Sequence, residues 1–385
     1  MNVEFFSRPL ADLDVGMAAG AQGLDHWVGW FVHVFVRGKF WTMFSLLFGM
    51  GFAVMLSRAE ARGASFAGPY LRRTVVLGAF GVLHYVFLWA GDILFSYALG
   101  AMLLVLVAIP AGLRRWPPAR LRRAGLALYL LPFLAMTIGG GVMLAHPPQP
   151  TPQEQQAQAQ RIQEHETRVA REARVLADGS YADAVALRAD DFPRHLGSNA
   201  FFAVIVAGVF LLGAWFVRSG AMTDPAAHLG LFRTLACWGI PIGIGASLVA
   251  AGIATTLVRG HNDAAYMLAT GLAMLGNLPA SLGYIGAVVL AFHGRLRRWL
   301  AWFAPAGRMA LTNYLLQSLL GTLFFHGYGL GQWGMGRAAQ LVFVLVVFGL
   351  QLLLSRWWLA RFRYGPMEWL WRAATYLRLP AFRAA

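Results

Sequence analysis

The sequence predicts an all-α fold: a multi-pass integral membrane helical bundle of about nine transmembrane helices, with an extracytoplasmic helical cap and an interfacial C-terminal helix. Three observations predict it. Several apolar runs reach the ~20 residues that cross a bilayer, in a chain of 385 residues that is 58% hydrophobic and 13% charged, with mean hydropathy +0.56. The arginines sit in short connections between those runs. One polar stretch, residues 146–197, interrupts the pattern.

The net charge of +15 would suggest nucleic acid in a soluble chain. Here the positions of the arginines give them a different role, orienting the helices, and no nucleic-acid partner is expected. Cys237 is the only cysteine, which excludes an internal disulfide and a thiolate metal site; no metal centre is expected. Residues 1–25 lack a basic region followed by an apolar one, so no cleavable signal peptide is expected.

Residues 1–38 read as an extracytoplasmic segment with an interfacial helix around Trp27, Trp30 and Phe31. The first four spans occupy 39–145: about 39–56, 71–89, 92–109 and 124–145, the last with Gly139, Gly140 and Gly141 for close helix approach. Residues 146–197 open on Pro147, Pro148, Pro150 and Pro152, then read as helix from Gln153 to Arg174. Ile162, Val169 and Leu176 form a thin seven-residue stripe, and eight acidic residues face six arginines. A small cap is expected, a disordered insertion being the alternative. The last five spans lie in 198–355, with kinks expected at Pro241 and Pro279. Residues 356–385 form a basic, tryptophan-rich tail.

Basic connections at 57–73, 111–123 and 294–308 share one side with the tail under alternating spans, and the positive-inside rule makes that side cytoplasmic. The cap, the break at Gly91–Asp92 and residues 258–263 and 328–336 then lie outside. Nine spans ending inside leave residues 1–38 outside with no preceding helix to carry them across, so a further first helix is expected ahead of this sequence.

Ionisable groups next to hydrocarbon are functional candidates. Asp92 follows Gly91 and opens a helix, the position of a capping carboxylate. Lys39, the only lysine, begins the first span at the same level, so a Lys39–Asp92 pair is expected. His84 lies ~10 Å inside the outer surface at 1.5 Å per residue. It is either a helix–helix hydrogen-bonding group or a general base, and Asp92 orients it only if the turn at Gly91 folds the carboxylate back. Tyr97 reaches the same level. Asn313 and Gln317, four apart on one helical face, extend a candidate polar track; helix–helix bonding is the other reading. On the cytoplasmic side Arg308, Glu368 and Arg372 mark either an interfacial helix locked by a Glu368–Arg372 or Glu368–Arg308 pair, or contact with an anionic donor. With no phosphate loop and no Gly-x-Ser-x-Gly elbow, ATP-driven pumping and serine hydrolysis are disfavoured.

Four stretches carry a resemblance: KFWTMFSLLFGMG (39–51), His84 with LWAGDILFSYALG (88–100), GRMALTNYLLQS (307–318) and GPMEWLWRAATY (365–376). Together they resemble the YeiB family of bacterial membrane proteins, which carry a domain of unknown function. Members usually begin with a further helix bearing an Asp-x-x-Arg-Gly motif, which this chain lacks; its opening MNVEFFSRP resembles the segment just after that helix. The resemblance implies a bacterial inner-membrane location. It also implies kinship with transmembrane acyltransferases that move acyl groups from cytoplasmic acyl-CoA to outward-facing acceptors. On that reading acyl-CoA is the donor substrate, a glycan, lipid or small molecule the acceptor, and membrane lipids the surroundings. His84 is then the base and Asp92 its partner. The rival readings are a small-solute or lipid transporter using the same polar track and a non-catalytic membrane scaffold.

Overall fold

The computed structural model describes residues 2–383. Among them no strand forms, only the isolated bridges Gly16–Thr256 and Phe362–Arg383. A short helix α1 (Gly23–Phe31) runs through a π-helical turn to Gly38, whose φ of 83° makes a break that a side chain would strain, and α2 (Lys39–Ala61) follows. Next come α3 (Ala67–Phe87), α4 (Leu94–Leu103) and α5 (Pro118–Ala145). The cap is a helical hairpin of α6 (Pro152–Asp178) and α7 (Tyr181–Asp191). Then follow α8 (Leu196–Arg218), the short α9 (Leu229–Thr234), α10 (Ile240–Ile253) and α11 (Asp263–His293). Two short helices, α12 (Arg297–Leu300) and α13 (Ala304–Arg308), lead into α14 (Ala310–Phe325), α15 (Arg337–Leu359) and α16 (Pro366–Tyr376).

All the expected spans are helical, and six stretches are long and apolar enough to cross a membrane: Gly23–Ala61, Pro118–Ala145, Tyr181–Arg218, Ala226–Ile253, Asp263–His293 and Arg337–Leu359. The helical stretches Leu94–Ala108 and Ala310–Phe325 are apolar but shorter, and α3 carries Arg72 and Arg73 in its first half. Leu131, Ile138, Leu345, Val346, Leu350 and Leu353 remain exposed on α5 and α15, as lipid-facing positions do.

The buried axis is α8. Lipid is as apolar as leucine, so helices associate through close packing, and α8 uses small residues for it. A Cβ on Gly213 would stand 2.2 Å from the Leu46 carbonyl, and one on Gly49 would meet the Phe210 backbone. Of the consecutive glycines 139–141 in α5, Gly140 packs against the Leu268 backbone and Gly139 meets the Met267 side chain, while Gly141 faces open space. Pro279 lies inside α11 as expected. Pro241 lies within the continuous helical stretch Ala226–Ile253, directly after a π-helical turn over Leu235–Gly239.

The cap and the tail dock at opposite ends of α14. At one end Gly327 donates to the Leu176 carbonyl of α6; at the other α16 packs beside Leu311 and Thr312. Capping boxes start both cap helices, Thr151 with Glu154 and Ser180 with Asp183, and backbone and hydroxyl donors hold those exposed carboxyls below the usual range. Residues 2–17 also lie at the cap end. Glu172 of α6 accepts from the Leu10 and Ala11 amides at 2.8 and 3.0 Å, and Glu4 pairs with Arg8 and Arg337.

Candidate functional site

α3 ends one turn past His84. The amides of Leu88 and Trp89 both donate to the His84 carbonyl at 2.9 and 2.8 Å, which closes the helix and turns the chain back on itself. Three groups from the cap satisfy the last carbonyls of α3: Arg188 Nε and Nη1 donate to Val86 and Leu88, and the Tyr181 hydroxyl to Phe87, each at 2.9 Å. Gly81, one turn before His84, leaves room for the returning chain. A Cβ there would stand 2.4 Å from the Phe95 nitrogen and 2.9 Å from Asp92 Oδ2.

Asp92 therefore does two things. Its Oδ2 accepts from the Phe95 amide at 2.7 Å, capping the first turn of α4, and its Oδ1 lies 2.8 Å from His84 Nδ1. The fold-back that the sequence left conditional is present. The other imidazole nitrogen, Nε2, lies 2.7 Å from Ser318 Oγ on α14. With Asp92 accepting from Nδ1–H, Nε2 is the acceptor and the Ser318 hydroxyl donates to it. Ser318, His84 and Asp92 thus form a continuous chain from α14 through the end of α3 to the turn before α4. His84 and Ser318 are 1% and 2% exposed, so the chain is sealed from water. Tyr314, one turn before Ser318, lays its ring 4.9 Å from the imidazole, and Trp89 meets it edge-on at 6.4 Å.

Ser318 ends the GRMALTNYLLQS stretch without a Gly-x-Ser-x-Gly elbow around it, so it is not among the residues that the sequence marks as candidates. Here the serine rides on a helix and comes to the histidine by helix packing. A signal existed: Ser318 is four residues from Tyr314, so both share one face of α14.

The remaining candidates are elsewhere. Lys39 does not pair with Asp92. Its Nζ donates to Ser247 of α10 at 2.9 Å, because the start of α2 faces α10 and α11 rather than α4. Tyr97 donates to the Trp41 carbonyl and accepts from Ser45, tying α4 to α2. Asn313 and Gln317 do share a face, but it is the face toward α15: Gln317 bonds Gln351 at 2.8 Å and Asn313 bonds Ser355 at 3.0 Å. Those amides fasten helices and do not continue a polar line from His84.

Neither expected pairing of Glu368 forms. Its carboxylate accepts from the Leu311 and Thr312 amides at 2.7 and 3.0 Å and from the Thr312 hydroxyl, supplying the cap that the start of α14 lacks in its own sequence. Arg372 lies over the Tyr364 and Tyr376 rings, and Arg308 donates to the Arg363 carbonyl. Glu368 and Arg308 tie the tail to the bundle, while Arg372 packs within the tail.

A family model described as "Protein of unknown function (DUF418)" matches residues 216–378. The chain is 34% identical over 359 residues to "Uncharacterized protein YxaH" of Bacillus subtilis (strain 168), covering 89% of this chain and 80% of that protein. It is 29% identical over 389 residues to "Uncharacterized protein YeiB" of Escherichia coli (strain K12), covering 97% and 91%. An "Uncharacterized 39.9 kDa protein in amylase 3'region" of Bacillus acidopullulyticus is 24% identical over 360 residues. No solved structure matches the chain.

Proposed function

Because the chain belongs to the YeiB-like DUF418 family of helical membrane proteins, we propose that it is a membrane-embedded acyltransferase in which Ser318 carries the acyl group between donor and acceptor. The observation that carries this reading is the hydrogen-bonded order Ser318 Oγ, His84 Nε2, His84 Nδ1, Asp92 Oδ1, with links of 2.7 and 2.8 Å. A serine hydroxyl is a weak nucleophile until an adjacent base takes its proton, and a base works best when a third group fixes its tautomer.

In the first half-reaction Ser318 Oγ attacks the carbonyl carbon of an acyl thioester, acyl-CoA by family resemblance, while its proton passes to His84 Nε2. The C–S bond breaks, the proton goes to the leaving thiolate, and an acyl ester remains on Ser318. In the second, an acceptor hydroxyl attacks that ester and gives its proton to His84. The ester C–O bond breaks and Ser318 Oγ recovers the proton as it leaves. Asp92 holds the imidazole with Nδ1 protonated and stabilises the imidazolium that forms in each half. Burial supports both halves, since electrostatic stabilisation strengthens where water is excluded. The donor is expected from the tail side and the acceptor from the cap side, following the basic connections.

The test is covalent labelling of the purified protein with a fluorophosphonate, which phosphonylates activated serines with loss of fluoride. Mass spectrometry should place the adduct on Ser318 and find none in His84→Gln. Unmodified Ser318 beside a labelled control hydrolase would remove the nucleophile from the scheme.

A further inference from the structure

Between the cap, residues 5–10 and the turn after α3 lies a cavity of about 20 Å³, enough for one water or one hydroxyl group. Phe5, Trp89, Leu176 and Leu187 give it apolar walls, while Glu172, Arg188, Asp191 and His326 give it polar ones. Two of those polar groups are incomplete. Arg188 is 3% exposed and spends Nε and Nη1 on the α3 carbonyls, but its Nη2 has no partner. His326 is fully buried, its Nδ1 lies 3.1 Å from the Tyr328 hydroxyl, and its Nε2 has no hydrogen-bond partner, with the Phe6 carbonyl nearby. In the neutral ring, with the Tyr328 hydroxyl donating to Nδ1, the proton sits on Nε2, which is then a donor without a partner.

Unsatisfied donors at a small lined cavity are expensive to keep unless something fills them. The walls specify what. Two N–H donors call for an oxygen lone pair, and the Asp191 carboxylate calls for a proton on that same group. A hydroxyl offers both, whereas a protonated amine has no lone pair to offer. The cavity also adjoins the relay: Trp89 lines it and the same indole meets His84 edge-on. That indole is held by Nε1 donating to the Phe5 carbonyl at 3.2 Å and by stacking on Phe6 at 4.4 Å.

We propose that this cavity is the acceptor subsite: Arg188 Nη2 and His326 Nε2 hold the oxygen of an alcohol acceptor, and Trp89 is the gate between it and Ser318. The inference rests on the acyl-Ser318 reading and supplies its second half. The alcohol enters from the cap side, displaces the water the closed cavity admits, and reaches the ester once Trp89 swings from its Phe5 and Phe6 supports.

The experiment uses the full chain in nanodiscs, p-nitrophenyl acetate as donor and methyl β-glucoside as acceptor, with acetyl-Ser318 followed by mass spectrometry. In the wild type, loss of the acetyl group should accelerate and saturate with glucoside. In His326→Phe, which keeps the ring volume and removes the donor, the half-saturating concentration should rise about tenfold. Arg188→Lys, which keeps one bond to the α3 carbonyls, should shift it in the same direction. Acetyl-Ser318 that decays independently of glucoside, or that saturates equally in wild type and His326→Phe, overturns the subsite and leaves the relay standing. If no acetyl-Ser318 forms in the wild type, both fall together.

Discussion

Ser318 and His84 sit 234 positions apart in sequence and 2.7 Å apart in space, joined at the contact of α14 with the end of α3. Asp92 reaches the other side of the same imidazole because the chain doubles back over Gly81. Two of these links are local and one is long-range, and each has its own consequence.

Asp92 both caps α4 and holds His84, and one substitution separates the roles. Asn keeps an oxygen for the Phe95 amide and is among the best capping residues. Asp92→Asn should therefore express and melt close to wild type, within about 1 kcal/mol. It should nonetheless lose fluorophosphonate labelling of Ser318 by about 10²-fold or more, because the amide has no charge to stabilise the imidazolium. Full labelling would leave Asp92 only its capping role.

Gly81→Ala should act through sterics alone. The added methyl meets the Phe95 nitrogen and Asp92, so α4 must shift from α3, at a cost of about 1–3 kcal/mol. Thermal unfolding in detergent measures the loss. Gly78→Ala, whose new Cβ would only touch Ala98 at 3.4 Å, is the control and should melt close to wild type.

At the other end of the bundle, Glu368→Ala removes the cap from α14. A stability loss of about 1–2 kcal/mol is expected, with faster amide exchange at Leu311 and Thr312. Arg372→Ala should leave those amides protected, since Glu368 makes no pair with it. Equal exposure of the two amides in both variants would restore the ion-pair reading.

The cap should respond to acid. Glu154 and Asp183 have folded pKa values below their ordinary ones, so their contribution is present above the usual carboxylate range, about 4, and is lost as pH falls through the lowered values. Hydrogen exchange over residues 152–155 and 181–184 should quicken below about pH 4. Ser180→Ala should remove that dependence for α7 alone.

How much of this was legible depended on whether a partner was local. The beginning of α2 at Lys39, the break before Asp92 and the polar helix after Pro152 all follow from composition and from residues a few positions apart, whereas the second cap helix does not. His84 and Asp92 were legible as candidates for the same reason. Equal depth placed Lys39 beside Asp92, but depth carries no information on which way a helix faces, and Lys39 faces Ser247. The spacing of Asn313 and Gln317 gave their shared face correctly, though not that α15 occupies it. Glu368 looked paired to Arg372 at i+4, yet the bare amides at the start of α14 were a better partner. Ser318 was the hardest of all. A serine in an apolar helix can turn its hydroxyl onto the preceding turn, and the Tyr314 carbonyl at 3.3 Å is the longer alternative to the 2.7 Å contact with His84, so nothing in the local sequence sets Ser318 apart.

The central claim is that Ser318 is acylated with His84 as its base. The most direct measurement is the rate at which p-nitrophenyl acetate deposits an acetyl group on Ser318 in the wild type, in His84→Gln and in Ser318→Ala, read by intact mass and peptide mapping. One acetyl group per chain is expected on Ser318 in the wild type, with a rate lower by about 10²–10⁴-fold in His84→Gln and no acetylation in Ser318→Ala. Acetylation of His84→Gln at the wild-type rate, or an acetyl group that settles on another residue and leaves Ser318 free, would contradict it.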